Sequence, residues 1–177
     1  GASHTNNFGG EGVAPVSNII SARVIDDCHG DVYALLKGAL WMAGEEVEGY
    51  PVNKQIPSVA NFSIGSDSNQ CPGFFHDLFQ RYNEKNIVAV ASAGNLGANG
   101  LNSPSNCPGV IAVMSHTIEG DLTSYSNRSG SAAISAPGGG VAYNKTLFPL
   151  ISGILAPSFV RQPDGSFTPK SDSLTAG

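Results

Sequence analysis

The asparagine at position 95 lies in a sequence context that suits a catalytic side chain. Residues 87–94 read Ile-Val-Ala-Val-Ala-Ser-Ala-Gly, a pattern typical of a buried strand, and Asn95 follows directly. A side-chain amide at the end of a rigid strand can donate a hydrogen bond to the oxyanion that forms on an attacked carbonyl. Gly-Asn is also ordinary turn chemistry, and from this feature alone a turn is the favoured interpretation.

Other side chains that could serve as nucleophiles, bases or metal ligands lack the surroundings for such roles. Loop or surface positions are favoured for His4, Asp26, Asp27 and His29. His76 and His116 have no Cys or His partner at metal-ligand spacing, so no metal site is predicted there. Ser173 has no elbow of small residues around it, so it is a poor nucleophile candidate.

The composition narrows the classes of function. The chain has 177 residues, of which 41% are hydrophobic, enough for the core of one domain of ordinary size. Nine Lys and Arg against 14 Asp and Glu give a net charge of -5, which argues against nucleic acid as a partner because phosphate binding needs clustered basic residues. No apolar run reaches the length of about 18 residues that a membrane span needs. Many Gly, Ser and Asn with few charges favour a secreted protein.

Five short apolar runs predict buried parallel strands because each is bounded by Gly, Pro, Asn or Asp. These runs cover residues 19–25, 59–64, 87–93, 110–114 and, with the weakest signal, 132–136. Apolar residues at helical spacing predict one helix between the first two runs, from Val32 to Ala43 with Asp31 as N-cap. They predict a second helix between the second and third runs, from Phe75 to Tyr82 with Asn86 as C-terminal cap. This order predicts an α/β fold, a doubly wound and mostly parallel sheet with helices on both faces.

The predicted fold indicates where function should lie, because ligands of such sheets bind at the carboxyl ends of the strands. The positions just after the apolar runs are Asp26-Asp27, Gly65-Ser66, Gly94-Asn95 and Ser115-His116. From Gly138 onward the periodic pattern fades. Residues 141–173 are predicted to be an irregular loop region with at most one short strand.

Several stretches, in the same order along the chain, resemble motifs of the subtilase family of serine proteases. They are Gly-Val-Ala-Pro at 12–15, Ala-Arg-Val-Ile at 22–25, Val-Ala-Asn-Phe-Ser-Ile-Gly-Ser at 59–66, Ala-Ser-Ala-Gly-Asn at 91–95, Pro-Gly-Val-Ile-Ala-Val at 108–113, Ser-Tyr-Ser-Asn at 124–127 and Ile-Ser-Ala-Pro-Gly at 134–138. The resemblance covers residues 1 to 140 and is closest to secreted bacterial subtilases that carry extra cysteines.

This resemblance implies a secreted serine endopeptidase that hydrolyses a polypeptide substrate through an acyl-enzyme. It implies that Asn95 is the oxyanion donor. It implies backbone pairing with the substrate residues before the scissile bond for Ser63, Ile64, Gly65 and Ser66. It also implies that one side of the pocket for the residue just before that bond is formed by Ser92, Ala93 and Gly94. Small residues in that pocket leave room for a large apolar or aromatic side chain.

The resemblance also places all three members of the catalytic triad outside the chain. The family's Asp-Thr/Ser-Gly strand and His-Gly-Thr-His-Val-Ala-Gly helix are expected before Gly1, and its Gly-Thr-Ser-Met-Ala segment from Gly177 onward. Residues 1–177 are therefore expected to be the central part of one catalytic domain, to need the remaining parts of that domain as partners, and to be inactive alone.

No cofactor is predicted, and three alternatives stay open. The first is a calcium site, because some family members bind calcium near the positions of Asn6 and Asn7. Such a site is disfavoured here, since Glu11 is the sole carboxylate nearby. A rival function is a non-catalytic, protease-like module that binds peptides or a partner protein. A different α/β hydrolase or a nucleotide binder is a second rival, opposed by the absence of a Gly-x-Ser-x-Gly elbow, a Gly-x-Gly-x-x-Gly turn and a Walker motif.

Three cysteines predict one disulfide and one thiol that is free or paired elsewhere. Cys71 follows the second predicted strand and Cys107 precedes the fourth, so both loops can lie at the same end of the sheet. A Cys71–Cys107 disulfide is predicted, and Cys28 is then left over for a cysteine upstream of Gly1.

Overall fold

Two helices and ten short strands make up the regular structure of the described residues. The computed structural model describes residues 13–26, 29–132, 134–140, 154–155, 158–164, 166–170 and 174–175. Predictions that fall outside these residues are those for His4, Asn6, Asn7, Glu11, Asp27, Cys28 and Ser173. The chain divides into two compact units, one of Ile20–Met114 and Tyr125–Ala136, the other of Gly1–Ile19, Ser115–Ser124 and Pro137–Gly177.

The elements follow one another in a strand and helix order close to the predicted one. In chain order they are β1 (Ile25–Asp26), β2 (His29–Gly30), α1 (Val32–Met42), β3 (Val59–Phe62), α2 (Gly73–Glu84), β4 (Val88–Ser92), β5 (Val110–His116), β6 (Ile134–Pro137), β7 (Ile154–Leu155), β8 (Ser158–Arg161), β9 (Phe167–Lys170) and β10 (Leu174–Thr175).

Four of the five predicted strands form one sheet in the order β3-β4-β5-β6. Strand β4 is parallel to both of its neighbours, with Val59 opposite Val88 and Val90 opposite Ile111. Helix α2 makes the crossover between β3 and β4, as a parallel pair requires. The prediction of an α/β fold with a parallel sheet is confirmed.

The strand predicted over residues 19–25 is not formed. Residues 19–24 have no regular secondary structure, and Ile25–Asp26 pairs only with β2 in a two-residue antiparallel ladder. A strand needs a neighbour for its backbone N–H and C=O groups, and no described strand pairs with residues 19–24. The apolar run predicted burial here, whereas Ile19 is 69% exposed.

Both helices begin and end close to the predicted positions. The Asp31 carboxylate accepts a hydrogen bond from the Ala34 N–H (2.6 Å), which caps α1. Asn86 follows α2 in the left-handed region, with a φ of 58°, and its N–H donates to the Asn83 carbonyl. With 11 and 12 residues, neither described helix is long and apolar enough to cross a membrane.

The core lies where the two helices cover one face of the sheet. Phe62 of β3 meets Phe79 and Tyr82 of α2, with ring centroids 5.5 and 6.1 Å apart. Small side chains on the sheet, Ala89 and Ala91, are at most 1% exposed, so the helix packs directly against β4. The Tyr82 hydroxyl donates to the carbonyl of Ala39 in α1 (2.8 Å), which ties the two helices together.

The opposite face of this sheet is open within the described residues. Three apolar side chains on it are well exposed, namely Val59 (55%), Val88 (44%) and Ile111 (37%). The sequence predicts helices on both faces of the sheet. Both described helices contribute to the core on the covered face, so in this part of the chain helices lie on one face only.

The second unit contains regular structure where the sequence predicts an irregular loop. Within 141–173, β8 and β9 form an antiparallel hairpin in which Ser158 lies opposite Lys170 and Arg161 opposite Phe167. The turn is closed by the Gln162 N–H, which donates to the Ser166 carbonyl (2.8 Å), and by the Asp164 carboxylate, which accepts from the Ser166 N–H (2.9 Å). A Pro-Asp-Gly sequence at 163–165 is a turn signal, and the flanking residues pair because this turn brings them together.

Candidate active site

The candidate site is built first from β4, the middle strand of the parallel ladder. Beyond Ser92 the ladder continues for one residue, since the Ala93 N–H donates to the Val113 carbonyl (2.9 Å). Gly94 then takes a φ of 111°, which turns the chain out of the strand. Asn95 follows with an exposed side chain that makes no hydrogen bond with another described residue.

Loop 94–102, which carries Asn95, is shaped by a buried asparagine from a distant part of the chain. The Asn127 side chain is fully buried, and its carbonyl oxygen accepts from the N–H groups of Leu96 (3.0 Å) and Ala98 (3.2 Å). Its amide nitrogen donates to the Asn102 side chain (3.0 Å), and its backbone N–H donates to the Gly94 carbonyl (2.9 Å). One residue therefore bonds to both ends and the middle of the loop.

Backbone contacts from the neighbours of Asn127 hold the rest of this loop. The Gly97 N–H donates to the Tyr125 carbonyl (2.6 Å), and the Gly100 N–H donates to the Arg128 carbonyl (2.7 Å). The Arg128 guanidinium donates to the Gly97 carbonyl (2.6 Å). The position of Asn95 is thus set by hydrogen bonds around it and not by contacts of its own side chain.

The segment that follows β3 forms the second part of the site. Ser63, Gly65 and Ser66 are exposed, while Ile64 is half-buried. The Ser66 N–H donates to the Ser103 carbonyl (2.9 Å). A β-carbon at position 65 would lie 3.3 Å from the same carbonyl, so glycine allows the two segments to approach closely.

A cavity of about 250 Å³ adjoins this segment. Its walls are mostly apolar, and it is lined by Val24, Ile25, Gly30, Asp31, Val32, Leu35, Ile64, Gly65, Ser66, Phe75, Ser103 and Pro104. Three of the four residues predicted to pair with substrate therefore lie at the edge of an apolar recess that could take a side chain.

The residues predicted to line the pocket for the substrate residue before the scissile bond differ in their exposure to solvent. Ser92 is exposed and Gly94 is half-buried, so both can contact a ligand. The methyl group of Ala93 is 1% exposed and packs with Leu101 and Ala112, so Ala93 can offer only its backbone.

Two further connections bring the segment after β3 and loop 94–102 together. The Ser103 N–H donates to the Ser68 carbonyl (2.8 Å), and the Asn102 N–H donates to the Ala93 carbonyl (3.3 Å). The predicted Cys71–Cys107 disulfide is formed, with an S–S distance of 2.07 Å. The carboxyl ends of β3 and β4 thus form one edge at which the predicted site residues meet, as expected for a parallel sheet.

The sequence interpretation missed Asn127 and Asn102 as residues of the site. In the sequence, Asn127 stands out only as the last residue of the Ser-Tyr-Ser-Asn stretch that resembles a subtilase turn, and the partners of its side chain are 25 to 31 residues away. No local pattern indicates contacts of that kind.

Comparison with known proteins identifies the family. A profile described as the subtilase family matches residues 1–168 of the 177. The chain belongs to the subtilase family. An extracellular protease of Xanthomonas campestris pv. campestris is 32% identical over 142 residues, covering 79% of this chain and 24% of the relative. An extracellular basic protease of Dichelobacter nodosus is 30% identical over 139 residues, covering 77% of this chain and 23% of the relative.

A solved structure supports the same assignment. A protease from Pseudoalteromonas arctica superposes on 94% of this chain with a TM-score of 0.73 and 32% identity, and this chain covers 47% of that protein. The subtilase chain spans about a quarter of the length of the two curated relatives that it matches.

The titratable side chains of this subtilase chain form no further centre among the described residues. No group of three or more His, Cys, Asp or Glu side chains there could hold a metal ion. His76 lies 3.9 Å from the adjacent Asp77 on the surface, and the His116 ring contacts the Thr117 carbonyl (2.7 Å). Neither histidine therefore belongs to a set of metal ligands among the described residues.

Proposed function

We propose that the protein containing this chain is a secreted serine endopeptidase, and that the chain supplies its oxyanion donor and two walls of its substrate cleft. The observation that carries the proposal is the Asn95 amide, exposed and without a hydrogen-bond partner among the described residues at the carboxyl end of β4. When a serine oxygen attacks a peptide carbonyl, negative charge moves to the carbonyl oxygen. A donor that is already in place stabilises this charge without reorganisation.

The segment Ser63–Ser66 serves as the strand along which a polypeptide substrate pairs. Main-chain hydrogen bonding of this kind accepts many side chains, and the adjoining cavity of about 250 Å³ adds a preference for an apolar one. Ser92 and Gly94 contribute the wall of the pocket for the residue before the scissile bond. Nucleic acid is not a proposed partner, because an excess of 14 acidic over nine basic residues disfavours the binding of phosphates.

Parts of the protein outside the chain supply the triad and complete the fold. The open sheet face at Val59, Val88 and Ile111 supports this, since apolar side chains that are 37% to 55% exposed on one sheet face would be covered in a stable domain. Secretion is supported by the relatives named as extracellular proteases and by the disulfide, which persists in oxidising compartments.

The proposal is tested by labelling with a fluorophosphonate, which reacts with activated serines. The full-length protein should be labelled at a serine outside residues 1–177 and should cleave a denatured protein substrate. The 177-residue chain alone should show neither property. Labelling of the chain alone would refute the placement of the nucleophile, and a full-length protein that binds peptides without labelling would favour the non-catalytic module.

The role of Asn95 is tested separately by Asn95→Gly in the full-length protein. If Asn95 only forms a turn, glycine fits that turn as well and the variant should keep its kcat. If the amide is the oxyanion donor, kcat should fall while KM changes little, because the bond is made mainly in the transition state. An unchanged kcat would exclude the oxyanion role.

A further inference from the structure

The hydrogen-bond geometry of loop 94–102 points to a second functional asparagine, and we propose that Asn127 is a positioning residue that holds Asn95 in the orientation needed for oxyanion binding. This inference rests on the proposed role of Asn95. Asn127 touches no reacting atom in this proposal, and it acts through the backbone on either side of Asn95.

The first support is the placement of the bonds. The Asn127 backbone N–H binds the carbonyl of Gly94, immediately before Asn95, at 2.9 Å. Its side-chain oxygen binds the N–H of Leu96, immediately after Asn95, at 3.0 Å. Both peptide units that flank Asn95 are thus attached to one residue, which fixes the backbone direction from which the Asn95 side chain projects.

The second support is that the clamp is buried while the residue it holds is exposed. Asn127 has 0% of its surface exposed, so its hydrogen bonds are shielded from competing water. Its amide nitrogen is in turn bonded to Asn102 (3.0 Å), which fixes the orientation of the amide and leaves its oxygen for the loop. Asn95 has no such support from its own side chain.

The third support is a steric requirement at Gly94. A β-carbon at this position would lie 2.6 Å from the Asn127 side-chain nitrogen, and the φ of 111° also disfavours any side chain. The close approach of Asn127 and the turn that leads into Asn95 therefore depend on the same glycine.

The test is a double-mutant cycle in the full-length protein, with kcat expressed per titrated active site. Asn127→Ala should lower kcat about 10- to 100-fold, the scale of a displacement of about 1 Å at a catalytic group, with KM changed less than about 3-fold. In an Asn95→Ala background the same substitution should lower kcat less than about 3-fold further, because no donor is left to misplace. Two additive effects would overturn the positioning role.

A matched control separates positioning from loss of folded enzyme. Asn53 is also a buried asparagine, 8% exposed, whose side chain bonds the backbone of Met42 and Gln55 and makes no bond to loop 94–102. Asn53→Ala should lower Tm and leave kcat per active site unchanged. An equal loss of kcat in Asn53→Ala would show that the effect of Asn127→Ala is not specific, and would overturn the proposal.

The outcomes also distinguish this inference from the proposed function. If Asn95→Ala keeps full kcat, the oxyanion role fails and the positioning role fails with it. If Asn95→Ala is impaired while Asn127→Ala is not, the positioning role alone is refuted. Should Asn127→Ala not fold, Asn102→Ala takes its place in the cycle, because it removes one bond of Asn127 and leaves those to Gly94, Leu96 and Ala98. It should lower kcat about 2- to 5-fold in the wild-type background and not in Asn95→Ala, and an unchanged kcat would refute the proposal.

Discussion

The helix-covered face of the sheet and loop 94–102 are neighbours along β4, yet they are stabilised by different interactions. The helix-covered face is held by aromatic rings of β3 and α2 that pack over alanines, with Phe79 2% exposed. The loop is held by hydrogen bonds with Asn127 and Arg128, and Asn95, near its start, is exposed. Apolar packing stabilises the fold, whereas directional bonds place one exposed side chain. Changes to the two regions should therefore have separable effects on stability and turnover.

The largest expected effect is on stability, from Phe79→Ala in the full-length protein. Phe79 contacts the rings of Phe62, Phe75 and Tyr82 at centroid distances of 5.5 to 6.0 Å. Its removal should lower the free energy of unfolding by about 3 to 5 kcal/mol, through lost transfer free energy and the cavity that is left. Denaturant unfolding measures this change.

Phe74 of the same helix provides the control, because it is 37% exposed. Phe74→Ala should cost less than half as much as Phe79→Ala. A fall in kcat per active site in Phe79→Ala, with the protein still folded, would contradict the separation of the two regions.

The disulfide should give the next effect on stability. Cys71 and Cys107 are 36 residues apart, so in the chain-entropy model the bond is worth about 3 to 4 kcal/mol. The double variant Cys71→Ser/Cys107→Ser should lose this stability and keep its kcat. Peptide mapping without reduction should recover the Cys71–Cys107 link, and a link from Cys28 to either residue would be inconsistent with the structure.

At the loop, Asn95→Ala should affect turnover alone. The subtilase family itself provides the scale, since loss of the oxyanion asparagine of subtilisin costs about 10² to 10³ in kcat, or about 2.7 to 4 kcal/mol. Asn95→Asp should be at least as harmful because a carboxylate repels the oxyanion and offers no donor. Steady-state kinetics measures both, and Tm should stay within about 1 °C, since surface side chains contribute little to stability.

Asn99 offers a matched control on the same loop. It is also an exposed asparagine, and its side chain accepts one long hydrogen bond from Arg128 (3.4 Å). Asn99→Ala should keep kcat within about 2-fold. An equal loss in Asn99→Ala and Asn95→Ala would mean that the loop responds as a whole and that no single donor is responsible.

The smallest effect is expected at Tyr82 and depends on pH. Tyr82→Phe removes the hydrogen bond to the Ala39 carbonyl and should cost about 0.5 to 1.5 kcal/mol at neutral pH. Burial raises the pKa of the Tyr82 phenol above its ordinary value, so the folded protein keeps this proton when the unfolded chain loses it. The wild type should therefore lose stability as pH rises above about 10.

The same substitution isolates that pH dependence. Tyr82→Phe should show a smaller loss between about pH 9 and 11.5, because the other tyrosines titrate in both proteins. Unfolding curves across this range measure the difference, and identical pH profiles would show that Tyr82 does not titrate differently on folding.

Local sequence patterns were sufficient for most of the sheet and for both helices. The apolar runs at 59–64, 87–93 and 110–114 correspond to β3, β4 and β5, and Asp31 caps α1 as predicted. These elements follow from periodicity and capping, which depend on residues a few positions apart. The strand predicted over 19–25 failed because strand formation also requires a partner, which no pattern within those residues reveals.

The sequence by itself determined the family, the parallel sheet, the Cys71–Cys107 pairing and the identity of Asn95 as the candidate donor. Each of these depends on residue types in a fixed order along the chain. Only the tertiary structure decided that Asn127 holds the loop around Asn95, that the methyl of Ala93 is buried, and that an apolar recess adjoins Ile64. The physical reason is that hydrogen bonds between residues about 30 positions apart, and the walls of a cavity, arise when separate elements pack, and packing geometry is not a property of any local stretch.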